Sequence, residues 1–329
     1  MAPRHEQTIS RFGLRSILPD EVEVIAGPGC PVCVTPTVAL DRAVELALKG
    51  VVLTVFGDLM MVPATRMSLL EAKARGGDVR VVYSVSDAVE VARRNPEREV
   101  VFVSVGFETT APTTASELLR GVPENFSVMC YHRLIPPAME LLLGVGDIHI
   151  DGFICPGHVA AIIGVKAFRV FAEAYKMPTV VAGFEPNDVL LAVLMLLKQL
   201  RDGEARCENE YSRVVREEGN VKAQRLIGEV YDVADAEWRG IGRIPQSGLT
   251  LKKKFEDADA EKKYEFAPMK HVDINPGCNC HLVMIGKIYP PECRLFGRAC
   301  TPQKPYGPCM VSSEGTCRIY YKYGEHPKL

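Results

Sequence analysis

Short runs of β-branched and aliphatic residues alternate with helical periods between residue 22 and about residue 202. This alternation is typical of parallel sheets whose strands are connected by crossover helices, and it predicts an α/β fold. Strands are predicted at residues 22–25, 51–56, 79–83, 100–105, 127–131, 152–154 and 179–182. Helices are predicted between them, among others at residues 38–48, 68–75, 85–93 and 159–175. These strands are enough for two small parallel sheets or one large one.

The sequence changes character after residue 202. Residues 203 to about 266 are highly charged and show little strand pattern, which predicts a helical and loop connection with a solvated face. From residue 276 onward the chain is rich in Cys, Pro and Gly, so it would need a bound cluster to hold it together. Three parts are therefore predicted: α/β domain I at 1–95, α/β domain II at 96–202, and a connection with a C-terminal iron-sulfur domain at 203–329.

The charge balance and hydropathy exclude some classes of partner. The sequence contains 39 basic and 41 acidic side chains, and neither sign forms a long block that could neutralise nucleic acid. The longest apolar stretch, residues 189–197, is about half of what a bilayer crossing requires. The N-terminus does not resemble a secretory signal. We therefore expect a cytoplasmic protein that binds neither nucleic acid nor membrane.

The chain has eleven cysteines. Because cytosolic thiols are normally kept reduced, metal binding or thiol chemistry explains them better than structural disulfides do. Two of them form Cys30-Pro-Val-Cys33, a spacing that lets the two sulfurs reach one another or one metal. A structural zinc would need two further ligands from elsewhere, so a redox-active dithiol is the simpler interpretation.

Polar residues and thiols follow the predicted strands, at residues 27–33, 57–58, 106–110, 131–132, 155–158 and 183–188. Open sheets bind ligands at the carboxyl ends of their strands, so these residues predict one shared cleft. The candidate acid–base residues are Glu108, His158, Glu185 and Asp188. The candidates for close contact with a bound ligand are Gly29, Gly106, Thr109 and Gly157.

These candidates also have structural explanations. Gly-Pro-Gly at residues 27–29 is ordinary turn chemistry, and His158 stands where a residue could cap a helix or join the core. Glu108 and Glu185 both follow Gly-Phe after an apolar strand, where a carboxylate can stabilise a helix N-terminus, transfer a proton or contact a metal. The recurrence of Gly-Phe-Glu at equivalent places favours the functional interpretation.

Six cysteines lie between Cys278 and Cys317. Four of them are separated by twelve, six and sixteen residues, namely Cys280, Cys293, Cys300 and Cys317. Four thiolates in a loop-rich segment can bind a 4Fe-4S cluster or a zinc ion. Zinc sites usually contain two short Cys-x-x-Cys motifs, and their absence from this segment favours the cluster. Cys278 and Cys309 are spare candidates, and Cys278 would be the first substitute for Cys280.

Taken together, these motifs resemble the HypD family of nickel-iron hydrogenase maturation proteins. The resemblance runs over nearly the whole chain, and the order and joint presence of the motifs make it specific. They are RFGLRSILP, GPGCPVCVTP, SLLEAKARGGDVRVVYS, VGFETTAPTTA, CPGHV, VVAGFEPNDVL, EWRGIG, and LFGRACTP through CMVSSEGTC.

The resemblance implies two α/β domains facing a cleft and a C-terminal domain with a 4Fe-4S cluster on Cys280, Cys293, Cys300 and Cys317. It also implies that Cys30 and Cys33 are the redox thiols of the family. With a small HypC-like chaperone and a HypE-like cyanide donor, the chain would assemble an iron carrying two cyanides and one carbon monoxide. In the free state it would be a monomer.

The N-terminus departs from the family pattern. Family members carry Cys-Gly-x-His near the start; His5 matches the histidine, but Ala2 stands at the position of the cysteine. The resemblance therefore implies that one iron-binding thiol is missing, either because the sequence is truncated at its N-terminus or because this is a defective copy. As written, the chain is expected to fold and bind its cluster but not to complete iron assembly. Two other classes of function stay open at this point: an iron-sulfur oxidoreductase or lyase acting on a small molecule in the same cleft, and a purely structural zinc protein.

Overall fold

The computed structural model describes residues 1–146 and 148–324. Four parallel strands form one sheet in the order β2-β1-β3-β4: β1 Val52–Val55, β2 Val79–Val81, β3 Val100–Gly106 and β4 Phe126–His132. Three parallel strands form a second sheet in the order β5-β6-β7: β5 Phe153–Pro156, β6 Thr179–Ala182 and β7 Cys207–Asn209. An antiparallel hairpin follows, of β8 Tyr231–Trp238 and β9 Gly242–Leu251. The predicted α/β fold class is confirmed.

Fifteen α-helices occur in the described part of the chain. They are α1 Pro3–Phe12, α2 Pro31–Val34, α3 Thr37–Leu48, α4 Leu69–Ala74, α5 Val85–Arg94, α6 Ala111–Arg120, α7 Ile135–Leu143, α8 Gly157–Ile163, α9 Arg169–Glu173, α10 Pro186–Asp202, α11 Val221–Val230, α12 Ala260–Lys263, α13 Cys280–Met284, α14 Pro308–Val311 and α15 Thr316–Tyr323. Within residues 1–146 and 148–324, none of the helices is long and apolar enough to cross a membrane.

The first sheet is built around β3. All seven residues of β3 are buried, because helices cover both faces and only a continuous apolar strand satisfies both. Helices begin where the sequence supplies caps: the Ser68 and Ser84 hydroxyls accept hydrogen bonds from the backbone amides of Glu71 and Asp87. Since β3 and β4 pair in parallel from Val100 to His132, their carboxyl ends meet at one edge of the sheet.

Three sequence-based predictions about elements are wrong. Residues 22–25 are not a strand; they run extended beside Met1, whose amino group donates to the Ile25 carbonyl oxygen at 3.1 Å. The predicted helix at 159–175 is interrupted at Gly164, where φ is +84° and a Cβ would lie 2.3 Å from the Glu217 oxygen. Residues 203–266 contain β7, β8 and β9 as well as helices, so this segment is not merely a connection.

The two parallel sheets divide between β4 and β5. The predicted boundary between residues 95 and 96 falls between β2 and β3, two strands of the same four-stranded sheet. The predicted boundary at residue 202 falls before β7, which completes the second sheet. How the chain divides into independently folding domains therefore stays a prediction.

Candidate functional site

Helix α1 connects the Cys30 loop to the end of β6. Backbone contact is close at the loop, where the Gly27 amide donates to the Met1 carbonyl oxygen at 2.7 Å. Gly29 is required because a Cβ at that position would lie 2.6 Å from the Pro3 Cδ. Less than one helical turn later, the His5 Nε2 donates to the Gly183 carbonyl oxygen at 2.9 Å. Two of the predicted strand-end segments are thus held against one helix.

Cys30 and Cys33 are bonded to each other through their sulfurs, and both are buried. The single helical turn of α2 places them on the same side, and the Cys33 amide donates to the Cys30 sulfur at 3.2 Å. Helix α2 contacts both β3 and α14, and α14 carries Cys309. The dithiol therefore lies between the first sheet and the cysteine-rich segment.

The cysteine-rich segment folds its thiols inward around Gly307. A Cβ at Gly307 would lie 2.6 Å from the Cys278 sulfur and 3.2 Å from the Cys280 sulfur. The Tyr306 amide donates to the Cys300 sulfur at 3.3 Å. All six cysteines of this segment are buried: Cys278, Cys280, Cys293, Cys300, Cys309 and Cys317.

The electrostatics of these thiols show which of them are neighbours. Burial raises the pKa of Cys300, and the nearby Cys278 and Cys293 thiols act in the same direction. A hydrogen bond with Cys309 and burial raise the pKa of Cys317 well above its ordinary value. Free thiolates at these positions would be costly, and binding a metal is the usual way in which buried cysteines become thiolates.

The donor set consists of thiols, which are the ligands of a 4Fe-4S cluster and of a Cys-only zinc ion. Within residues 1–146 and 148–324, no three His, Cys, Asp or Glu side chains form a group that could hold one metal ion. Cys278 is a neighbour of Cys300, and both Cys280 and Cys278 are neighbours of Cys317, so either of the two can be the first ligand.

Glu108 is buried at the N-terminus of α7. It is 2% exposed, and its Oε1 accepts a hydrogen bond from the Ile135 amide at 2.8 Å. Its Oε2 has no hydrogen-bond partner among the described residues. Burial raises the pKa of Glu108 to about 7, although the Ile135 amide favours the charged form. Glu108 therefore caps a helix and can also exchange a proton near neutral pH.

The raised pKa predicts how Glu108→Gln changes stability with pH. The folded state holds a proton on Glu108 that the unfolded chain loses near pH 4.5, so the wild-type fold loses stability from about pH 4.5 to about pH 7. Glutamine does not titrate, so the free energy of unfolding of Glu108→Gln, measured relative to the wild type, should be about 3 kcal/mol higher at pH 8 than at pH 4.5. Urea unfolding at both pH values measures this difference. A pH-independent difference would contradict the raised pKa.

The rings of His5 and His158 both lie next to the ring of Phe184. The ring of His5 stacks on Phe184 at 4.8 Å, and the ring of His158 lies 5.2 Å from it. Burial lowers the pKa of His5 to about 3 and that of His158 to about 4, so both imidazoles are neutral. In both, Nδ1 has no hydrogen-bond partner among the described residues. Since Nε2 of His5 donates its proton, its Nδ1 carries a free lone pair.

Glu185 and Asp188 are positioned differently from Glu108. Glu185 is exposed, and its backbone amide donates to Asp188 Oδ2 at 3.1 Å at the start of α10. Asp188 is buried, and the same oxygen accepts from Arg213 at 2.5 Å. Helix capping and an ion pair therefore account for Asp188. Sequence reasoning missed the neighbouring Glu210, whose Oε2 accepts from the Gly183 amide at 3.0 Å.

The predicted glycines are explained by close packing. A Cβ at Gly157 would lie 2.5 Å from the Ala182 carbonyl oxygen and 2.6 Å from Cδ1 of Tyr211. A Cβ at Gly106 would lie 2.5 Å from the side chain of Thr110. Thr109 is half-buried in the turn between β3 and α6. At Gly106 and Gly157 the space is filled by the protein itself.

Substituting alanine for Gly157 should therefore destabilise the fold. The new Cβ clashes with the β6 backbone and with the ring of Tyr211, so both must move away from α8. This should lower the free energy of unfolding by about 1–3 kcal/mol. Gly228 in α11 is the matched control, because a Cβ there meets no atom within 4 Å. Gly228→Ala should be neutral or stabilising by up to about 1 kcal/mol. Urea unfolding of both variants is the measurement, and equal effects would contradict this assignment.

The geometry defines a class of protein: a thiol-rich α/β protein in which a buried dithiol lies against a segment of six buried cysteines. The HypD family model, described as the hydrogenase formation hypA family, matches residues 3–324. This chain belongs to the HypD family, and its role lies in hydrogenase maturation.

Individual relatives agree with the family model. The chain is 48% identical over 322 residues to a putative hydrogenase expression/formation protein of Methanocaldococcus jannaschii. This alignment covers 97% of this chain and 89% of the relative. It is 47% identical over 332 residues to hydrogenase maturation factor HypD2 of Bradyrhizobium diazoefficiens, covering 97% and 87%. It is 44% identical over 332 residues to hydrogenase maturation factor HypD of Cupriavidus necator, with the same coverage.

Proposed function

We propose that this chain is a scaffold and redox protein that assembles an iron carrying two cyanides and one carbon monoxide. It would act in the cytoplasm, as a monomer when free, with a HypC-like chaperone and a HypE-like cyanide donor. One observation supports this most: helix α2, which carries Cys33, contacts helix α14 of the cysteine-rich segment. A dithiol and a set of metal-binding thiols are thereby brought together by parts of the chain that are far apart in sequence.

The cysteine-rich segment would hold a 4Fe-4S cluster. Cys293, Cys300 and Cys317 are the proposed ligands, with Cys280 or its neighbour Cys278 as the fourth. When bound, the cluster supplies one-electron chemistry. The segment itself keeps these sulfurs away from water, because each is at most 8% exposed.

Cys30 and Cys33 would be the thiols that change oxidation state. Opening their bond takes two electrons and yields two thiols once two protons are added. Glu108 is the candidate proton donor, since its raised pKa of about 7 keeps it partly protonated at neutral pH. Phe107, the residue before it, belongs to the same apolar core as Cys33. That core excludes water from the reacting sulfurs.

The iron under assembly is a substrate, and the neutral imidazoles of His5 and His158 are candidate ligands for it. Their unpartnered Nδ1 atoms belong to rings that share one aromatic neighbour. Neutral imidazole is a suitable ligand for iron. Ala2, which stands where the family pattern has cysteine, lies beside Gly29 of the dithiol loop, with its Cα 3.6 Å from the Cβ position of that glycine.

Replacing Ala2 by cysteine should therefore strengthen binding of ferrous iron. Residue 2 is buried beside the dithiol loop, so a thiolate there adds a soft ligand near His5. We expect tighter binding by at least about tenfold, which corresponds to about 1.4 kcal/mol. Anaerobic titration of Fe²⁺ against Ala2→Cys and Ala2→Ser measures it. If serine gives the same gain as cysteine, the thiol is not the cause.

Anaerobic purification of the full chain tests the proposed function. The expected product is a brown protein with about four irons and an electron paramagnetic resonance signal after reduction. It should also bind a small HypC-like partner. A colourless protein containing zinc would support a structural role instead, and turnover of a small molecule by the isolated chain would support an oxidoreductase or lyase. Protein without any metal would overturn the cluster assignment.

A further inference from the structure

Arg239 is a buried cation whose backbone lies beside both groups of cysteines. It is 1% exposed, and its guanidinium is only partly hydrogen-bonded. Nε donates to the Asp273 carbonyl oxygen at 2.8 Å, and Nη2 donates to the Pro63 carbonyl oxygen at 2.8 Å. Nη1 has no hydrogen-bond partner among the described residues. A guanidinium stays charged in proteins, and burying it without a negative partner is costly.

The carboxylates near Arg239 are committed to other donors. Asp273 Oδ1 accepts from the Thr37 amide at 3.0 Å, and its Oδ2 accepts from the Gly240 amide at 2.5 Å. Asp41 accepts from the Thr65 amide at 2.9 Å and from the Thr65 hydroxyl at 2.6 Å. Neither carboxylate forms a salt bridge with the guanidinium among the described residues, so both favour its charged form only from a distance.

The backbone around this arginine joins the two groups of cysteines. The amide of residue 239 donates to the carbonyl oxygen of Val34 at 2.9 Å, one residue after Cys33. A Cβ on the following Gly240 would lie 2.6 Å from the Cβ of His281, one residue after Cys280. Burial lowers the pKa of Arg239, and the groups that oppose this are, in order of strength, Cys280, Asp273, Cys278 and Asp41.

We infer that Arg239 is a positioning residue whose guanidinium is the counter-cation of the sulfur centre around Cys278 and Cys280. This inference rests on the proposed function, in which that centre takes up an electron. Reduction adds negative charge, and a buried cation stabilises added negative charge in a low dielectric. Arg239 therefore raises the reduction potential of the centre.

The test is a redox titration of the anaerobically purified full chain with dithionite, which is oxidised to sulfite while each cluster takes up one electron. Arg239→Gln removes the charge but keeps hydrogen-bond donors. We expect its midpoint potential to fall by the equivalent of at least about a tenfold change in equilibrium constant, about 59 mV for one electron. Arg239→Lys keeps the charge, so its midpoint potential should differ less from that of the wild type. Asp273→Asn, which removes a nearby negative charge, should shift the potential upward.

Arg133→Gln is the matched control. Arg133 is also buried, and its guanidinium donates to the carbonyl oxygens of His132 and Glu237, but its electrostatic neighbours include no cysteine of the C-terminal segment. It should lower stability without moving the potential. An unchanged potential in Arg239→Gln, or an equal shift in Arg133→Gln, overturns the inference. If Arg239→Gln does not fold, Asp273→Asn replaces it as the test: a higher midpoint potential supports the inference, and an unchanged or lower one overturns it.

A second measurement separates this inference from the cluster itself. If the wild-type chain holds no cluster, the proposed function fails, and the free thiols of the metal-free chain are alkylated with iodoacetamide. The thiolate is the reacting form, and each carbon–sulfur bond formed releases one iodide ion. Arg239→Gln should slow the alkylation of Cys278 and Cys280 severalfold relative to Arg133→Gln, as read by mass spectrometry. Equal rates would refute the role of Arg239.

Discussion

Replacing Cys33 by serine should abolish hydrogenase maturation while leaving the chain folded and its iron content unchanged. Serine cannot form the bond to Cys30, so the two-electron step is lost. The fold survives because the bond closes a very short loop, whose constraint on the unfolded chain is worth about 2 kcal/mol. The measurement is hydrogenase activity in a strain that lacks its own copy of this gene, with every variant made in the Ala2→Cys background that restores the missing thiol, together with iron analysis of the purified variant.

Cys207→Ser is the control for this experiment. Cys207 lies on β7, outside both groups of cysteines, and its sulfur makes only a weak contact with the Val165 carbonyl oxygen at 3.9 Å. That variant should support maturation at the level of Ala2→Cys alone. Normal maturation by Cys33→Ser would show that the dithiol has no redox role, whereas loss of iron in Cys33→Ser would show that it has a structural one.

Replacing Cys300 by alanine should remove the cluster. Its sulfur accepts from the Tyr306 amide beside Gly307, in the middle of the buried thiols. We expect iron to fall from about four per chain to near zero, because a 4Fe-4S cluster with three thiolates is readily lost. Residues 276–324 should then become sensitive to proteases, since this segment has little apolar core of its own.

Parallel substitutions would identify the first ligand. Of Cys278→Ala and Cys280→Ala, the variant that loses its iron marks the ligand, and the other should keep most of it. The contact of Cys278 with Cys300 favours Cys278, whereas the contact of Cys280 with Cys317 and the spacing in the sequence favour Cys280. Full iron in Cys300→Ala would end the cluster assignment for this segment.

The parallel sheets could be predicted from sequence because buried strands need continuous apolar residues. The strand β3 is such a run, and it was predicted to within one residue of its end. The hairpin β8–β9 was missed because only one face of it is covered. Val233 on β8 is 57% exposed, and charged residues occupy most of the other outward positions, so the segment looks like a solvated loop.

The residue types of the site could be predicted, but their environments could not. Glu108 and Glu185 share the motif Gly-Phe-Glu, yet one carboxylate is buried under α7 and the other is exposed at the start of α10. A local motif does not say which element will cover it. Arg239 stands in the motif EWRGIG, but its burial depends on Asp273 and Pro63, which are distant in sequence.

The contact between α2 and α14 also has a consequence for synthesis. Cys30 and Cys33 leave the ribosome early, whereas α14 begins only at Pro308. At ordinary translation rates, the helix that covers the dithiol is completed about 15–60 s later. During that interval only the contact with β3 can cover the nascent dithiol, so oxidants and other thiols have better access to it than in the finished fold.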